Sequence, residues 1–132
     1  MNEILKTIER FHGHLGPYAV LGYKMGQIAC EQLGSDPFEK TVVVSTGTTP
    51  PISCLIDGIQ LGSGCTLGKG NIIVKHERIP KAVFSNKKGK QLCISLQKEI
   101  QEEIDENVTE ENIKHYSEDM YSRSNTVLFQ IE

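Results

Sequence analysis

The stretch VFSNKKGKQLCISL, residues 83–96, sets two runs rich in β-branched and aromatic residues on either side of a lysine–glycine tip. This is the pattern of a β-hairpin, and it predicts strands over Ala82–Ser85 and Gln91–Leu96 joined by a tight turn. Lys87, Lys88 and Lys90 then belong to a solvated hairpin tip rather than to a phosphate-binding patch.

Two more β-branched runs predict strands, TVVVST at Thr41–Thr46 and NIIVKHE at Asn71–Glu77. Helical spacing of Ile4, Leu5, Ile8 and Phe11 predicts a short amphipathic helix over residues 2–11 that ends at Gly13. A second helix is expected from Pro17, which suits a first helical turn, to Gly34. Its Gly22 and Gly26 weaken the helix and lie four residues apart, a spacing that predicts close packing against another backbone. A third helix should open at Pro51 and carry Cys54, Asp57, Gly58 and Leu61 on one face. The polar tail reads as helices over Gln97–Glu106 and Glu110–Tyr121, the latter capped by Thr109, followed by TVLFQIE as a short strand or extended arm. The expected fold is α+β: one domain, residues 1–132, with a mostly antiparallel sheet packed with helices.

A chain of 132 residues can bury one core without staples, and a net charge of −3 gives no reason to expect nucleic-acid or membrane partners. Charges interrupt the N-terminal MNEILKTIERF, so it lacks the apolar core of a signal peptide, and no apolar run reaches membrane-spanning length. These features predict a cytoplasmic protein. Cys30, Cys54, Cys65 and Cys93 are dispersed without a CxxC pair, which favours reduced thiols over a zinc ribbon or a thioredoxin-type centre. The glycine-dense SGCTLGKGN (63–71) fails as a phosphate loop, with Ser63 where the leading glycine belongs and Gly70 where a hydroxyl should follow Lys69.

His12, His14, Cys54 and Cys65 are the candidate metal ligands, because zinc accepts imidazole and thiolate alike. They come from three segments, so the spacing suits a site assembled in a cleft, where an open position is left for water or substrate. The same residues also read as a hydrogen-bonding loop and as small buried hydrophobes. His76 and His115 read as surface residues, Cys30 and Cys93 as core, and Tyr18 and Tyr23 as core or pocket edge.

FHGHLGPYAVLGYKMG (11–26) and PPISCLIDGIQLGSGCTLGKGNIIV (50–74) together resemble the core domain of the FmdE family, named for a component of formylmethanofuran dehydrogenase. The resemblance implies a commonly dimeric α+β domain with a metal-binding cleft. By motif it implies His12, His14, Cys54 and Cys65 around a divalent ion, with zinc as the candidate, and Asp57, Gln60 and Lys69 nearby. Two departures stand out. Gly16 replaces a thiol of the family pattern, and no cysteine follows Cys93 to build the C-terminal zinc finger of some members.

The function so implied is an FmdE-like metal-binding protein acting in, or accessory to, one-carbon (formylmethanofuran-type) or molybdenum/tungsten enzyme metabolism. Asp57, moving protons, and Lys69, holding an anionic group, are the catalytic candidates. The alternative, favoured by Gly16, is a non-catalytic module for a metal or small ligand, or an interaction subunit. Expected partners are a second copy of the chain and a small molecule or partner enzyme.

Overall fold

The computed structural model describes residues 2–132. One five-stranded sheet contains β1 (Lys40–Val44), β2 (Ile72–Val74), β3 (Lys81–Asn86), β4 (Gln91–Leu96) and β5 (Phe129–Ile131), in the order β2-β1-β3-β4-β5. β1 and β2 run parallel, and every other neighbouring pair is antiparallel. The helices are α1 (Glu3–His12), α2 (Pro17–Leu33), α3 (Cys54–Ser63), α4 (Lys98–Asn107), α5 (Ile113–Ser122) and the single turn α6 (Asn125–Leu128). The α+β class, the hairpin and the antiparallel bias agree with the sequence reading.

Local chemistry explains the hairpin. Asn86 Oδ1 accepts from the backbone N–H groups of Lys88 and Lys90, both at 3.0 Å, and Gly89 takes the left-handed conformation the turn needs, φ +86°. Val42, Val44, Ala82, Phe84, Ile94 and Leu96 alternate onto one sheet face and join Leu21, Met25, Leu55 and Ile59 in the main core. Each large side chain so buried contributes about 1.5–3 kcal/mol. The same alternation turns Cys93 outward between Leu92 and Ile94, so it is half-buried rather than core. Cys30 is half-buried as well, its thiol donating to the Gly62 carbonyl at 3.5 Å.

The glycines of α2 meet those of α3. A Cβ at Gly22 would overlap the Leu55 carbonyl, and one at Gly58 would overlap the Ala19 carbonyl, while Gly26 and Gly62 face Ser63 and Tyr23. The close approach predicted for Gly22 and Gly26 is therefore present. Contacts rise together along both helices, so α2 and α3 run parallel and their N-termini lie side by side.

Two helix starts differ from expectation. Pro51–Ser53 form a tighter turn, whose carbonyls accept from Cys54, Leu55 and Ile56 three residues on, so regular helix begins at Cys54. α5 begins after Asn112, which exchanges hydrogen bonds with Thr109 across the preceding turn. No described helix is long and apolar enough to cross a membrane.

Candidate functional site

α1 ends at His12, and Gly13, at φ +102°, reverses the chain toward His14 and the start of α2 at Pro17. The joint therefore lies beside the N-terminus of α3, where Cys54 is the first helical residue. Between them opens a cleft of about 380 Å³ lined by His12, His14, Gly16, Tyr18, Pro50, Pro51 and Cys54, and closed by Ile104 and Asp105 of α4, by Val108 just past its end, and by Ile113 of α5. That volume suits a small ligand.

His12 Nδ1 lies 2.7 Å from Asp57 Oδ2, and the His12 side chain is 11% exposed. The carboxylate draws the ring proton to Nδ1, so Nε2 keeps its lone pair and can act as a base or a metal ligand. The His14 ring is tilted 31° to that of His12, with centroids 5.0 Å apart. A Cβ at position 16 would begin 3.3 Å from His14 Cε1, so the family's thiol position abuts His14 directly. At Cys54, burial and then the Asp57 carboxylate push the thiol above its ordinary value, so it is held protonated rather than as a nucleophilic thiolate.

Cys65 lies elsewhere. It follows the C-cap Gly64 at the far end of α3, roughly 15 Å from Cys54 at the helical rise per residue. It is fully buried, and burial pushes its thiol up. Lys69 Nζ sits 3.5 Å from Thr66 Oγ1 and 5.6 Å from the Phe38 ring centroid. Gln60 Oε1 accepts from the Leu67 N–H at 3.1 Å, and Asn71 accepts from Thr66 N–H while donating to the Pro37 and Lys40 carbonyls. The motif residues from Gln60 to Asn71 thus build the loop beyond α3, whereas His12, His14, Cys54 and Asp57 gather at its start.

Among the described residues, no three His, Cys, Asp or Glu side chains already converge on one metal position. The donor chemistry of His12, His14 and Cys54 nevertheless fits zinc, and the Asp57–His12 pair is the carboxylate–imidazole arrangement that orients a metal ligand. Cys65 is separated from that set by the length of α3. His76 and His115 are exposed, as expected.

The sequence reading missed the far wall. Tyr18, 2% exposed, is core and pocket edge at once, and its hydroxyl donates to Asp105 Oδ1 at 3.1 Å. Burial first, and the carboxylate second, raise the Tyr18 hydroxyl well above its usual range, so it stays a donor. Ile104, Val108 and Ile113 carried no signal beyond ordinary helical spacing.

Comparison with known proteins gives three findings. Residues 11–130 match the family described as FmdE, Molybdenum formylmethanofuran dehydrogenase operon. A protein described as a probable S-adenosyl-L-methionine-binding protein from Archaeoglobus fulgidus is 36% identical over 78 residues, 55% of this chain; the match spans 20% of that protein's length. The crystal structure of an FmdE-like protein of the tungsten formylmethanofuran dehydrogenase type, from Syntrophus aciditrophicus, superposes with a TM-score of 0.70 at 21% identity, covering 98% of this chain and 69% of that one. That likeness carries the fold, and the family match covers nearly the whole sequence: the chain belongs to the FmdE family.

Proposed function

We propose that the cleft is a metal-assisted binding site for a small molecule, and that this FmdE-like protein works in or beside formylmethanofuran dehydrogenase-type metabolism. Family membership supports the metabolic association. The observation that carries the site is the Asp57–His12 pair at 2.7 Å on the wall that also holds His14 and Cys54. His12 and His14 would hold a divalent ion, with zinc the candidate, and Cys54 would be the third donor after losing its proton. When bound, the ion supplies Lewis-acid polarisation of a ligand oxygen.

The chain's own residues do the rest. Asp57 fixes the His12 tautomer, and the apolar wall of α4 and α5 limits water around the ligand. With Gly16 in place of a thiol and Cys54 taken up as a metal donor, no free thiolate remains as a nucleophile, so binding is favoured over nucleophilic turnover. The reading includes a homodimer, tested by light scattering on the eluting protein.

The decisive test is metal content of tag-free protein with His14→Ala and Cys54→Ala variants. Near-stoichiometric zinc in the natural chain, falling in both variants, is the expected result. Absence of zinc at micromolar free metal under reducing conditions overturns the reading. A second ligand reading, S-adenosylmethionine, is favoured by the description of the Archaeoglobus fulgidus relative together with the Asp105 carboxylate facing a mostly apolar cleft. Calorimetric titration of that compound, with and without zinc, separates the two.

A further inference from the structure

The wall opposite the histidines has a charge pattern of its own. Among the residues lining the cleft, Asp105 is the one formally charged side chain, and neither lysine nor arginine is present. Asp105 makes no ion pair among the described residues. Its Oδ1 accepts from the buried Tyr18 hydroxyl, whereas Oδ2 has no donor among the described residues and is free to accept another. Asp105 itself is exposed where it lines the cleft, and Ile104, Val108 and Ile113 beside it offer apolar contact to the body of a ligand whose charged end meets the carboxylate. The first-turn N–H groups of α2 and α3 add partial positive charge, but they lie toward the histidine wall and bear on the other end of a ligand.

We propose that Asp105, oriented by Tyr18, is the specificity residue of the cleft and selects ligands carrying a cationic nitrogen or sulfur next to an apolar body. This assignment rests on reading the cleft as a ligand site, but it does not need the metal. Tyr18 acts as a positioning residue: its hydroxyl holds the carboxylate in place. Anionic ligands, for which the sequence suggested Lys69, are disfavoured at this wall because the only fixed charge there repels them.

The test uses the full chain stripped of metal, with benzylamine as the cationic probe and benzyl alcohol as its neutral counterpart, followed by amide chemical shifts. In the natural chain, saturable shifts at Tyr18 and Ile104 should appear with benzylamine at a concentration about tenfold below that needed for benzyl alcohol. Asp105→Asn should abolish that preference, and Tyr18→Phe should reduce it. Because the chain carries no metal in this experiment, the preference is read apart from the metal reading. Equal binding of the two probes, no saturable shift with either, or a preference that survives Asp105→Asn would each overturn the proposal.

Discussion

Asp57 acts through His12, and that division of labour can be measured. Removing the carboxylate with Asp57→Asn leaves the ring in place but no longer fixes its tautomer, so zinc affinity should fall about 10–100-fold in a chelator competition. Gly16→Cys should do the opposite, because its Cβ starts 3.3 Å from His14 Cε1 and brings a thiolate donor to the same wall. An affinity unchanged by both substitutions would mean that metal binds elsewhere. Cys54 adds a pH dependence with a definite sign. Its thiol is held above the ordinary value, so metal binding must displace a proton, and affinity should rise with pH up to that raised pKa. Cys54→Ser should flatten the slope. The histidine wall was legible in the sequence because His12, Gly13 and His14 are adjacent and Gly13 and Pro17 mark the break around them. Asp105 was not, since it lies 87 residues from Tyr18 on an acidic helix where nothing local separates it from its neighbours.

Among the elements, α2 and α3 depend on having no side chain where they cross. Gly58→Ala would drive a methyl group into the Ala19 carbonyl, and a backbone contact cannot rotate away as a side chain can. A loss of about 3 kcal/mol is expected by urea denaturation, whereas Gly70→Ala, with open space around its Cβ, pays only the cost of its left-handed conformation. A comparable loss in the two variants would show that packing at the crossing is not what matters. The crossing was half legible: glycines four apart on α2 announced a close neighbour, but which helix supplied it required the fold. Strands were clearer, since β3 and β4 are joined by turn chemistry encoded at Asn86 and Gly89 themselves. Cys93 misled because an apolar-looking run hides its alternation, and only the register of β4 against β3 decides which face it occupies.

A second element-scale prediction concerns the α4–α5 wall of the cleft. Arg123, just past α5, donates twice to Glu103 on α4, at 2.7 and 2.9 Å, and the Tyr116 hydroxyl donates to the same carboxylate at 2.6 Å. Arg123 and then Tyr116 hold Glu103 down to about 2 from its ordinary 4.5. A carboxyl depressed in the folded state stabilises fully above pH 4.5, and that contribution is lost as pH falls through about 2. The pair is partly exposed, 26% and 32%, so solvent screening reduces the contribution to roughly 1 kcal/mol. Between pH 6 and about 2.5, wild type should lose that much more stability than Glu103→Gln, and parallel curves would rule the clasp out.

For the molecule as a whole, the cleft ties together parts of the chain that the fold otherwise connects only through the core. Its histidine wall comes from the joint between the first two helices, Cys54 from the middle of the sequence, and the opposite wall from α4 and α5 beyond the sheet. Lys24 reinforces this closure: its ammonium donates to the carbonyls of Met120, Tyr121 and Arg123 at 3.3, 2.9 and 2.6 Å, fastening the end of α5 to α2. A ligand held between such walls must stabilise the native state globally, because the unfolded chain cannot bring them together. At free zinc 100-fold above its dissociation constant, stability should rise by about 2.7 kcal/mol, a melting shift of roughly 10 °C for a chain of this size. Hydrogen exchange gives the spatial half of the test. Amides at the α1–α2 joint and the first turn of α3 should slow most, while those of the sheet-edge strands β2 and β5, which do not line the cleft, should slow only as far as global unfolding limits them. A melting shift that persists in His14→Ala, or slowing centred on the loop around Cys65 and Lys69, would move the metal site to the other end of α3.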